Sequence, residues 1–248
     1  MQQQRRLTKR ERRLMRQESV EEQSSVVRIN LPIKHIEPLT ENQAKTFQAY
    51  EAGKNLMLHG SSGSGKSFVA LYLALNELLS GKSDYEKVII IRSVVPTREM
   101  GFLPGTAAEK AAVFEAPYHS ICADMFGRGD AYETLKKKGL VEFETTSFLR
   151  GTTFNNCIVV VDEVSCLSGH ESDSVITRVG KNCRILFCGD YLQSDFTKAH
   201  EKSGLLLFMK VLKSIPDFAF IEFTSSDIVR SGLVREYIVA KERLHIEL

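Results

Sequence analysis

The eight residues GSSGSGKS at 60–67 fit the pattern G-x-x-x-x-G-K-[ST], with Gly60, Gly65, Lys66 and Ser67 at the fixed positions. Glycines and small serines let backbone N–H groups turn inward around phosphates, so Gly60, Ser61, Ser62, Gly63, Ser64 and Gly65 would form the cradle. Lys66 would reach the outer phosphate oxygens, and Ser67 would offer a hydroxyl to Mg²⁺. The helix that follows adds the partial positive charge of its N-terminus. A second cluster, VVVDE at 159–163, ends an apolar run in two carboxylates. Asp162 would hold Mg²⁺, mostly through water, because Mg²⁺ keeps several waters. Glu163 could take a proton from an attacking water. A carboxylate directly after the metal-holding Asp favours nucleotide hydrolysis over phosphoryl transfer to an acceptor. The third piece, FCGDYLQSDF at 187–196, ends another apolar run and delivers a neutral amide, Gln193. That amide suits a donor to a terminal phosphate or a group that orients water. Asp190 and Asp195 could support it, or could be turn residues after Gly189.

These side chains need rigid strand ends to hold them. Six stretches read as strands: NLMLH (55–59), KVIIIRS (87–93), LVEFETTSFL (140–149), CIVVVDE (157–163), CRILFCGD (183–190) and FAFIEF (218–223). Most are apolar throughout rather than alternating, which implies burial on both faces. Helical patterns lie between most of them: KSFVALYLALNELLSG, ending at Gly81, and the segments 107–127, 132–138, 171–179 and 204–213. The expected fold is therefore α/β, a mainly parallel sheet flanked by helices. The phosphate loop has a strand before it and a helix after it, as its chemistry requires. With no internal repeat and no linker, residues 26–248 read as one domain behind a polar arm at 1–25.

Composition narrows the class. Of 248 residues, 43% are apolar and 26% charged, as in ordinary globular proteins. The net charge is +2. Residues 1–22 carry seven Lys/Arg against four Glu, or +3, so the remainder is 2 − 3 = −1. The body is not a broadly basic nucleic-acid binder, although the arm could add salt-dependent phosphate affinity. Five cysteines form no CxxC pair and read as reduced thiols in a cytoplasmic protein. No apolar run reaches the ~18 residues of a membrane span, and the N-terminus lacks the apolar core of a secretory signal.

In this order, GSSGSGKS, RSVVPTREMGFLPG, FLRGTTFNNCIVVVDE and CGDYLQSDF resemble the motifs of PhoH-like ATPases. The resemblance covers roughly residues 35–240. It implies a single RecA-like P-loop domain related to superfamily 1 helicases, ATP binding and hydrolysis, and a link to RNA handling or unwinding. The short length and basic arm are similar to those of phage members, which would act in the host cytoplasm. LTENQ at 39–43 resembles the helicase motif in which a glutamine, here Gln43, contacts adenine. Thr40-x-x-Gln43 is also a capping box, and the two uses compete for one side chain. Many members carry Gln two residues past the acidic pair; this chain has Ser165. Arg92 and Arg98, in the stretch 92–105, resemble helicase contacts to a single strand of RNA or DNA, although Phe102 is the only aromatic nearby for stacking.

An arginine finger would stabilise the transferring phosphate. Too little chain follows CGDYLQ for a second RecA-like domain, so the finger would come from another subunit of a homo-oligomer, a ring such as a hexamer. Arg178 and Arg230 lead the candidates, with Arg150 behind them. Two other functions fit the motifs less well: a P-loop kinase of a small molecule or polynucleotide, which would not need Glu163, and a non-hydrolysing ATP-gated assembly module.

Overall fold

Valine, isoleucine and phenylalanine suit half- or fully buried pleated strands, and the six apolar stretches form them. They are β1 (Asn55–Gly60), β2 (Lys87–Arg92), β3 (Val141–Thr145), β4 (Cys157–Asp162), β5 (Cys183–Gly189) and β6 (Phe218–Phe223). The computed structural model describes residues 31–93, 107–146, 149, 151–190 and 199–244. Every neighbouring pair is parallel, and the strand order is β3-β2-β4-β5-β1-β6. This is the expected α/β P-loop fold of RecA-like type. β5 lies between β1 and β4. The ends of β1, β5 and β4 therefore stand side by side at the carboxyl edge, where open parallel sheets bind ligands.

Parallel pairing needs crossover connections. Seven helices flank the strands in the described residues: α1 (Glu41–Glu51), α2 (Lys66–Leu79), α3 (Ala107–Phe126), α4 (Ala131–Lys137), α5 (Gly169–Ile176), α6 (Ala199–Lys213) and α7 (Gly232–Leu244). α2 is buried almost all round, from Val69 through Leu75 and at Leu78. It starts at Lys66, so the phosphate loop is anchored by a helix with nine buried residues. One core face combines Met57, Ile89, Val159, Val161 and Phe187 from the sheet with Leu205 and Phe208 from α6.

Two differences from the sequence reading have physical causes. β3 stops at Thr145, short of Leu149, and beyond it Thr146 Oγ1 donates to Glu171 Oε1 at 2.7 Å. α7 matches no predicted helix. It is amphipathic but lies mostly at the surface, with Leu233 80% exposed, so its apolar residues do not mark a core.

Candidate active site

The phosphate loop leaves β1 under tight steric control. Gly60 has φ 109°, and a Cβ there would lie 2.0 Å from the Phe223 carbonyl oxygen. Ser61 N donates to that same oxygen at 2.8 Å, bracing the loop on the end of β6. Lys66 is buried, and its ammonium donates to Gly60 O at 2.8 Å, Ser61 O at 2.7 Å and Ser64 Oγ at 3.3 Å. Ser64 Oγ donates in turn to Ser61 O at 2.8 Å. Burial pushes the Lys66 pKa down, opposed by the nearby charges of Asp190, Glu163 and Asp162. The loop thus holds a cation against backbone carbonyls. Phosphate oxygens can replace those carbonyls as acceptors at little geometric cost.

Across the site, β4 delivers the acidic pair. Ser67 Oγ donates to Asp162 Oδ1 at 2.5 Å, and Tyr118 OH donates to Asp162 Oδ2 at 2.8 Å. A buried carboxylate and a hydroxyl are hard oxygen donors, the kind that would hold Mg²⁺. Glu163 has φ 52°, the left-handed region, which costs a non-glycine residue about 1–2 kcal/mol. That turn swings its half-exposed carboxylate out of the sheet, and Arg92 Nη2 lies 3.9 Å from Glu163 Oε1. Strain kept at such a point is characteristic of functional positions. Ser165 is buried in the 3₁₀ turn that follows, Val164–Cys166.

β5 closes the middle of the site. Gly189 lies so near this turn that a Cβ would meet Val164 N at 2.7 Å. Asp190 is buried, and its charge acts on Lys66. Gln193 and Asp195 lie outside the described residues, as do Arg98, Phe102 and Arg150.

The remaining predicted residues divide by position. Gln43 is buried, and its Nε2 donates to Ser64 O in the phosphate loop at 3.0 Å, while Oε1 accepts from Leu39 N at 2.8 Å. Thr40 caps α1 by accepting from Gln43 N at 3.3 Å, so the glutamine amide is divided between the helix start, through Oε1, and the loop, through Nε2. Arg230 lies at the loop of its own chain: a Cβ on Gly63 would meet Arg230 Cγ at 2.8 Å. Val229 N donates to Gly63 O at 3.1 Å, which docks the segment there. Arg178 is at the opposite edge of the sheet. Its carbonyl accepts from Phe154 N at 2.8 Å, its Nη1 donates to Thr152 O at 3.1 Å, and it precedes the amino end of β5. At ~3.3 Å per residue the length of β5 puts it about 20 Å from the phosphate loop.

Sequence reasoning missed Tyr118, the placement of Arg92 beside Glu163, and the Asp227 anchor. Asp227 Oδ2 accepts from Asn42 Nδ2 at 2.8 Å and from Thr224 N at 2.9 Å, tying the β6–α7 connection to α1. No local spacing marks Tyr118, and of the segment 227–230 only Arg230 stood out in the sequence. Among the described residues no group of three or more His, Cys, Asp or Glu side chains could hold a metal. No helix among them is long and apolar enough to cross a membrane.

A family model described as PhoH-like protein matches residues 35–242. The PhoH-like protein of Synechocystis sp. is 31% identical over 208 residues, covering 81% of this chain and 62% of that one. The PhoH-like protein of Bacillus subtilis is 30% identical over 211 residues, covering 85% and 65%. Protein PhoH of Escherichia coli is 28% identical over 202 residues, covering 81% and 56%. The chain thus spans 56–65% of the length of these relatives. Among solved structures, the UvsW helicase from bacteriophage T4 superposes with a TM-score of 0.46 at 18% identity, over 84% of this chain and 67% of that one. Unliganded Pif1 from Bacteroides sp. gives 0.42 at 18% identity, over 86% and 48%.

Proposed function

The chain belongs to the PhoH-like family, and from that premise we propose that it is a Mg²⁺-dependent ATPase acting with single-stranded nucleic acid, RNA foremost, as a homo-oligomer. One observation carries the hydrolytic half: Ser67 Oγ and Asp162 Oδ1 meet at 2.5 Å beside the buried ammonium of Lys66. The loop fits a polyphosphate because Gly60 and Gly63 take backbone conformations and close approaches that a side chain would block. Ser67 and Asp162 would hold Mg²⁺, which when bound neutralises phosphate charge. Lys66 exchanges loop carbonyls for phosphate oxygens. Glu163 accepts the proton of the attacking water, with Arg92 setting the side of the carboxylate that faces it. Gln193, past the end of β5, is assigned to the terminal phosphate.

The two arginines take different roles. Arg230 lies against the loop in cis and is suited to the phosphates of its own subunit's ATP. Arg178 is too far from its own loop and is suited to a neighbour's site, which is what favours an oligomer. The RNA half rests on the motif resemblance at 92–105.

ATP hydrolysis should be measured with and without single-stranded RNA and DNA, alongside solution mass at several ATP concentrations. Free phosphate that requires Mg²⁺ and rises with RNA, from a species heavier than the monomer, is the expected result. A phosphorylated acceptor would replace this function with a kinase. Absence of turnover with every nucleic acid would replace it with an ATP-gated assembly module.

A further inference from the structure

The two oxygens of Asp162 face different partners. Oδ1 accepts from Ser67, and Oδ2 accepts from the hydroxyl of Tyr118 at 2.8 Å. We propose that Tyr118 is a positioning residue, which orients the Asp162 carboxylate for Mg²⁺ and keys the metal site to the α3–α4 pair. This rests on the Mg²⁺-nucleotide reading of the site.

A carboxylate torsion is broad and roughly two-fold, so a strand end alone does not decide which oxygen faces the phosphate loop. A hydrogen bond from a fixed donor does. Tyr118 is such a donor: it is 1% exposed, and its ring packs on Phe143 at 5.8 Å and on Tyr132 at 6.4 Å between centroids. A carboxylate oxygen only accepts, so the phenol hydroxyl is the donor in this contact. Partners behind a metal ligand commonly fix its orientation in this way.

The same helix is tied to its neighbour. Glu115, one turn before Tyr118 on α3, accepts from Tyr132 OH at 2.9 Å and from Lys136 Nζ at 2.5 Å on α4. Tyr118 and Tyr132 stand side by side, so α4 braces the helix that carries the Asp162 contact. Ser165, the position where many family members carry glutamine, is not needed for this link.

Tyr118→Phe removes the hydroxyl and keeps the ring; Tyr50→Phe, on α1, is the matched loss of a buried, carboxylate-bonded hydroxyl away from Asp162 and from the α3–α4 pair. Binding of a fluorescent non-hydrolysable ATP analogue is titrated with Mg²⁺ and repeated in EDTA, with thermal melts of each variant. Tyr118→Phe should need about tenfold more Mg²⁺ for half-maximal tightening, the usual size of such an effect. Its binding in EDTA should match wild type, and Tyr50→Phe should match wild type in both. An unchanged Mg²⁺ midpoint in Tyr118→Phe overturns the assignment. So does equal weakening with and without Mg²⁺, which would make the hydroxyl merely structural. If wild type itself binds no nucleotide, or binds it without regard to Mg²⁺, the nucleotide-site reading falls and the role of Tyr118 falls with it.

Discussion

Lys66 is where the electrostatics of the site converge: burial destabilises its charge, while Asp190, Glu163 and Asp162 restore it. Removing the cation leaves the carbonyls of Gly60 and Ser61 turned toward one another with no donor between them. Lys66→Ala should weaken ATP binding by about tenfold or more, the scale of one charge-assisted hydrogen bond, in an equilibrium titration. Gly60→Ala tests the loop geometry instead. Its Cβ would sit 2.0 Å from the Phe223 carbonyl, a backbone atom that cannot step aside. A loss of about 3 kcal/mol in urea unfolding, the upper range of overpacking costs, is expected. A variant as stable as wild type would show that the loop leaves β1 differently. The glycines, Lys66, Ser67 and the acidic pair were legible in the sequence because the chemistry fixes their spacing along the chain. Tyr118 was not, and Arg92 was read only as a contact to a nucleic-acid strand: they reach Asp162 and Glu163 from elements that touch the site only after folding.

At the scale of elements, two features build the site. One is the insertion of β5 between β1 and β4, which sets the end of β5 between the phosphate loop and the acidic pair. The other is the segment Thr224–Arg230, which runs from β6 past α1 and along the loop. Asp227 is its anchor. Burial raises the pKa of that carboxyl, but hydrogen bonds from Asn42, Thr224 and Thr40 outweigh burial and hold it below the ordinary 3.8. A depressed folded pKa adds stability that is fully present above the unfolded value and lost as pH falls through the folded one. Wild type should therefore exceed Asp227→Asn in stability near neutral pH, and the gap should close on acidification below the ordinary carboxyl range. Urea midpoints measured down the pH scale check this; a gap that stays constant would assign the effect to packing. The strands were legible because burial on both faces writes unbroken apolar runs. α7 was not, because an exposed amphipathic helix carries no such run, and neither was the docking of the segment before it, with Arg230, on the phosphate loop of its own chain.

For the whole molecule, the proposed oligomer is tested through the division of the arginines. Arg178 lies a strand's length from its own phosphate loop and Arg230 lies against it, so the proposed function assigns only Arg178 to a neighbour's site. Mixing inactive Lys66→Ala subunits with Arg178→Ala subunits should restore hydrolysis that neither has alone, because each intact site then borrows an Arg178 from a Lys66→Ala neighbour. The same mixture with Arg230→Ala should stay inactive, since its missing group belongs to the site's own chain. Rescue of Arg230→Ala in place of Arg178→Ala would reverse the assignment. The central claim, that this chain hydrolyses ATP with Glu163 as the base, is tested most directly by Glu163→Gln. ATP binding in the presence of Mg²⁺ should stay near the wild-type value while phosphate release falls by about a hundredfold or more, the usual contribution of a positioned base. A Glu163→Gln protein that releases phosphate at the wild-type rate would contradict it.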